Sequence, residues 1–255
     1  MPAAVTADGR NYSWPVPEII GGDPAFRDDG GSADPAVTAA LTAYASGAGS
    51  EHAALTALAG ARLLVPVVAV LADQADRADQ ADHASEKASE MAMPTLVGMD
   101  GRRAIPAFTS VQSLALWRAD ARPVPVTAAG VWQSAVQESC AVVVDLAGPV
   151  PFAVDGARLA ALGRGEPPPR PEADPDVSAA VAAVLATRTD VAGFQLLPGD
   201  ADRDLTVGLL LTADQREPDV QRIATEAGQA VLTALGGRLR RGVAIVLLGT
   251  SPDGA

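Results

Sequence analysis

Aspartates recur three residues apart at Asp73, Asp76, Asp79 and Asp82, with His83 adjoining, so a metal site is the first chemistry to weigh. Calcium loops place oxygens at alternate positions around a glycine that allows a sharp turn, and this run has neither feature. On a helix a strict period of three drifts around the axis, so the four carboxylates do not converge. The run is read as a solvated insertion and no metal is assigned. Cys140 is the only cysteine. A nucleophilic thiol needs a held base, and the two histidines are ill placed: His52 on a surface helix, His83 in the acidic run. There is no G-x-S-x-G elbow, and the glycine pairs at 21–22, 30–31 and 236–237 fit neither a phosphate loop nor a dinucleotide fingerprint. No catalytic residue and no cofactor are assigned.

Two groups of residues remain as candidate anion sites. Arg102 and Arg103 precede Thr109 and Ser110, which open a short helix, and free N–H groups at a helix start together with guanidinium groups attract anions. The plainer reading is a helix cap beside one exposed arginine. Arg238, Arg240 and Arg241 form a basic patch in GGRLRRG. There Gly236 is expected to end a helix whose negative terminus the guanidinium groups complement, with an acidic partner as the sharper alternative.

The elements that must carry these residues follow from composition and period. The 255 residues hold 19 Lys plus Arg against 31 Asp plus Glu, for a net charge of -12, and 48% hydrophobic residues, enough for a packed core. That charge opposes nucleic-acid binding, since affinity for phosphate backbones comes from Lys and Arg. A lone cysteine, the absence of a basic then apolar leader, and the absence of an apolar run of about 20 residues together predict a cytoplasmic protein with no membrane contact.

Residues 1–33 read as an irregular arm that Trp14, Ile19, Ile20 and Phe26 could anchor. Asp34-Pro35 starts a helix to about residue 45, and Ser50 and Glu51 start a second. ARLLVPVVAVLA is a buried strand, expected to begin after Pro66 or to bulge there, since a central strand cannot spare a donor. The acidic insertion covers 72–90. Asp100-Gly101 predicts a two-residue turn joining strands at 95–99 and 102–108. A short helix with Leu114 and Trp117 follows, then a helix from Pro125 to Gln137, strands at 141–147 and 152–154, and a helix after Asp155. Phe108 and Trp117 are expected in the core. Residues 164–176 hold five prolines and read as a semi-rigid linker. Beyond it come a helix, strands VAGFQLL and LTVGLLL, a helix at 218–235 and strand VAIVLLG. The fold class is α/β and α+β: a mixed-sheet α/β domain at 34–163 and a smaller α+β domain at 177–255.

Three stretches, FRDDGGSADPAVTAAL at 26–41, ALAGARLLVPVVAVL at 57–71 and GRRAIPAFTSVQSLALW at 101–117, together resemble the actinobacterial branch of the SseB (enhanced serine sensitivity) family. The Phe-Thr-Ser element followed by a short helix and tryptophan is the most specific part, and the second domain is similar to the family's less specific C-terminal half. The resemblance implies an intracellular α/β protein with no agreed catalytic residues. A type III secretion translocon protein shares the label, but this chain lacks the long membrane-active apolar segment such a component needs. The expected function is non-enzymatic binding or regulation through contacts with another protein. The alternative is a small-anion or metabolite sensor, or an enzyme, using the hairpin arginines. An adaptor needs an exposed apolar patch, and a sensor or enzyme a hollow with convergent polar groups.

Overall fold

The computed structural model describes residues 24–71, 89–200, 202–212, 216–235, 238–239 and 241–250. The predicted arm anchors Trp14, Ile19 and Ile20, and residues 72–88 with His83, lie outside them. The architecture is mixed α/β: the described residues form seven α-helices and three sheets, two of them in the first part of the chain and one in the second.

Two capped helices open the first part. Asp34 accepts from the Ala36 amide ahead of α1 (Pro35–Ser46), and Ser50 accepts from Ala53 ahead of α2 (Glu51–Ala59). Strand β1 (Arg62–Leu71) then pairs antiparallel with β5 (Arg122–Thr127) along its first six residues and with β2 (Ser89–Ala92) along its last four. The acidic insertion therefore gives up its last two positions, Ser89 and Glu90, to a strand.

Strand β1 runs through Pro66, and residues 122–127, read from sequence partly as the start of a helix, are its partner. Pro66 faces Pro123, and Leu64 faces Pro125. The Leu64 amide donates to Phe108 O at 2.7 Å, away from β5. By alternation, residues 66, 123 and 125 lack donors only where no β1–β5 ladder bond would form. Three prolines thus fit a pair of strands without leaving the ladder short.

The second sheet orders β3 (Leu96–Val97), β4 (Arg103–Ala107), β6 (Ala141–Val144) and β7 (Phe152–Val154), with β4 and β6 parallel. The hairpin between β3 and β4 closes through three residues, not two. Gly98 N donates to Arg102 O at 2.8 Å, Gly101 N donates to Gly98 O, and Gly101 takes the left-handed region at φ +78 that the third position of such a loop requires. Ser110 caps α3 (Val111–Trp117), and Thr127 caps α4 (Ala128–Gln137). Helix α5 (Gly156–Gly163) follows β7 directly. The main core gathers Leu55, Leu58, Leu63, Trp132, Val142, Val144 and Phe152, and a satellite under α3 holds Leu64, Val68, Phe108 and Leu114. Phe108 is fully buried, as expected; Trp117 stacks on it at 5.5 Å but is only half-buried.

The proline-rich stretch buries Pro168 and forms a 3-10 turn at Pro171–Ala173 that packs on the second part of the chain. There α6 (Pro175–Leu185) and α7 (Glu217–Leu235) pack together over one face of a sheet ordered β10 (Val243–Thr250), β9 (Leu205–Leu211), β8 (Val191–Pro198). Strands β8 and β9 are antiparallel, while β10 runs parallel to β9 after the α7 crossover. This core of Val181, Leu205, Val207, Leu209, Ile223 and Val231 is separate from the two cores before it.

Candidate functional site

Helix α5 starts where Arg102 and Arg158 both pair with Asp155 and Arg238 comes close, paired with Asp176. Arg102 from the β3–β4 loop contacts Asp100 at 2.5 Å and Asp155 at 3.1 Å. Arg158, one turn into α5, donates to Asp155 at 2.8 Å and to Glu51 at the start of α2. Arg158 is 7% exposed, and its Nε has no hydrogen-bond partner among the described residues. Arg238, just beyond α7, reaches Asp176 at 3.5 Å. Asp176 in turn accepts from the Ala157 amide at 2.9 Å, so a carboxylate of α6 caps α5. Gly156 makes this approach feasible, because its φ is +56 and a Cβ there would lie 2.2 Å from Asp176 Oδ2.

Two cavities flank this cluster. One of about 600 Å³ is lined by Arg102, Arg103, Arg238, Asp155, Cys140 and the apolar side chains between α4 and α5. The other, about 390 Å³, shares Arg102, Asp155 and Arg238 and adds Arg158, Glu51 and Phe152. Arg103 Nη2 donates to Glu138 O at 2.7 Å. Burial pushes the Cys140 thiol above its ordinary value, a shift that nearby Arg103 only partly offsets, which disfavours the thiolate. Burial likewise raises the Glu51 carboxyl above the ordinary glutamate value, against the opposing pull of Arg158. Among the described residues no group of three or more His, Cys, Asp or Glu is placed to hold a metal.

The four sequence candidates around the hairpin do not share one place. Arg102 and Arg103 lie at one end of β4; Thr109 and Ser110 lie beyond the other, roughly 20 Å away at strand spacing. Thr109 donates its amide and hydroxyl to Asp145 at 2.9 and 2.7 Å, and Asp145 is a buried, left-handed residue at φ 50. Ser110 caps a helix of seven residues. Of the basic patch, Arg238 enters the cleft. Arg241 donates instead to Gly49 O at 3.3 Å and to Gly47 O, stapling the second part of the chain to the α1–α2 loop. Arg240 and Gly236 lie outside the described residues.

A second surface differs in kind. Strand β10 is charge-free and lies at a sheet edge, where Val246, Leu247 and Leu248 are 38%, 45% and 47% exposed. Ile245 faces α7 over Gly228, so Val246 faces the opposite side, which no helix among the described residues covers and where Leu248 lies over Gly208. A Cβ on Gly208 would meet Leu248 at 2.8 Å, so the glycine is what lets this leucine lie flat on the sheet.

Residues 37–161 match the family model described as SseB protein N-terminal domain. The chain belongs to the SseB family. The matched stretch runs from α1 almost to the end of α5 and so includes Arg102, Arg103, Asp155 and Arg158 but not Arg238 or β10. No curated protein and no solved structure matches the chain. No helix among the described residues of this SseB protein is long and apolar enough to cross a membrane.

Proposed function

We propose that this SseB protein is a non-enzymatic cytoplasmic binding protein that acts through contacts with another protein, and that the open face and free edge of the β8–β10 sheet form the contact surface. The observation that carries this reading is the exposure of Val246, Leu247 and Leu248 on a strand with no charged residue. Edge strands invite pairing, and proteins that avoid it blunt their edges with lysine, proline or a covering element. Strand β10 carries no lysine, no proline and no covering element among the described residues, and its one irregularity is a register shift against β9 between Leu247 and Gly249. An added strand would find backbone groups along the edge and apolar side chains on the open face, the arrangement of β-augmentation. A net charge of -12 supports a protein partner over nucleic acid or an anionic membrane, and a lone buried cysteine fits a reducing compartment. The separate cores support two domains, at 34–163 and 177–255, with the second bearing the contact surface.

Val246→Glu and Leu247→Glu place charge on the exposed edge without touching the core. Both variants are expected to keep parental melting and to lose a partner that the parent chain captures from its source cells, whereas Met99→Glu, at an 81% exposed hairpin position, keeps it. Equal capture by all three variants would remove the support for this surface.

A further inference from the structure

The larger cavity meets α4, α5 and the β3–β4 hairpin from the SseB domain and Arg238 from beyond α7, and nothing in the contact reading above uses it. Its volume of about 600 Å³ lies within the range of small-molecule sites. Three guanidinium groups, Arg102, Arg103 and Arg238, line it beside one carboxylate, Asp155, while Asp100 and Asp176, which do not line it, pair with Arg102 and Arg238. The adjoining cavity adds Arg158, a guanidinium buried to 7% exposure whose Nε–H lacks an acceptor among the described residues. Ser139, on the wall of the larger cavity, holds φ 53, a strained region for a residue with a Cβ and one that concentrates at ligand sites. The remaining wall is apolar, from Ala135, Val136, Leu159 and Ala160.

We propose that this cleft binds a small organic carboxylate. Its charged end lies between Arg102 and Arg238, where planar guanidinium forks match a carboxylate, and its carbon chain lies on the α4–α5 wall. The apolar wall is what favours an organic acid over inorganic phosphate, which would leave that surface wet. Because Arg102 and Arg238 come from opposite sides of the proline-rich stretch, the ligand also ties the two parts of the chain together, and binding raises the melting temperature by mass action.

Isothermal titration of the full chain with adipate, hexanoate and inorganic phosphate, each against sodium chloride of matched ionic strength, tests the assignment. Adipate and hexanoate are expected to bind and to raise the melting temperature, with phosphate much weaker. Arg102→Ala and Arg238→Ala are each expected to weaken adipate binding about 10- to 100-fold, the loss typical of one charge-assisted contact. Val136→Glu, which puts a negative charge on the apolar wall, is expected to weaken it as well while leaving both arginines in place. Phosphate binding as tightly as adipate would overturn the organic-acid assignment. The absence of binding by either acid, or equal binding by parent and both arginine variants, would overturn the site. Neither result bears on the β10 surface, whose variants are read by partner capture.

Discussion

Phe108→Ala is expected to cost about 3–5 kcal/mol and to unfold the SseB domain well before the rest of the chain. Phe108 is wholly buried, exchanges backbone hydrogen bonds with Leu64 in β1, and stacks on Trp117. It is the side chain through which β1, the end of β4 and α3 share a core, together with Val68 and Leu114. Truncation loses its apolar area and leaves a cavity that three elements cannot close at once. Trp117 is only half-buried, so Trp117→Ala is expected to cost less, and the order of the two variants checks the burial directly. All three tryptophans, Trp14, Trp117 and Trp132, precede residue 164, so tryptophan emission in a urea titration follows the first part of the chain. Circular dichroism follows both parts. In Phe108→Ala the emission transition should move to lower urea while a second dichroism transition keeps its midpoint. Coincident transitions that move together would show that the two cores unfold as one unit.

Arg158→Ala is expected to cost about 3–5 kcal/mol, because it strands Glu51 without its cation at the base of α2. The loss depends on pH with a definite sign. Burial holds the folded Glu51 carboxyl above its ordinary value, and removing Arg158 takes away the main force lowering it. A carboxyl with a raised folded value contributes stability that is complete below the unfolded value and lost as pH rises through the folded value. The deficit of Arg158→Ala relative to the parent is therefore greatest at neutral pH and shrinks as pH falls toward the ordinary glutamate range, where Glu51 takes up its proton. The double variant Glu51→Gln, Arg158→Met removes both charges and is expected to recover much of the neutral-pH loss, since an unpaired buried charge costs more than an absent pair. Chemical denaturation of the three proteins across this pH range measures it. A single variant with parental stability at neutral pH would contradict the assignment of Arg158 to the buried network.

The elements legible in the sequence were those with local chemistry. Asp34-Pro35 and Ser50-Glu51 announce helix starts because caps act within three residues, and the alternation of Leu205, Val207, Leu209 and Leu211 announces a strand with one covered face. Strand β5 was hidden because Pro123 and Pro125 argue against a strand until their partner is known, and the matching Pro66 lies in β1, far away in sequence. The hairpin was legible, but the third loop residue was not, since Met99 carries no turn signal of its own. The cleft was legible only in pieces. Arg102 and Arg238 each stood out as basic residues near a turn, but that both line one cavity depends on the chain beyond α7 coming close to the start of α5. Asp155 and Arg158 at helical spacing offered a local hint of an ion pair, whereas Glu51, the other acceptor, could not be found from spacing. The open face was concealed for a different reason: VAIVLLG reads alike whether a fourth strand covers its edge or none does.

The contact reading stands or falls on the backbone of β10, which hydrogen–deuterium exchange reads amide by amide. In the isolated chain, amides of residues 243–250 that point away from β9 are expected to exchange quickly, and those bonded to β9 slowly. In the complex captured by the parent chain, the outward amides should become as slow as the inward ones, with little change across β1 and β5. Unchanged exchange along β10 in that complex, with new protection elsewhere, would contradict the proposal that this edge is where the SseB protein meets its partner.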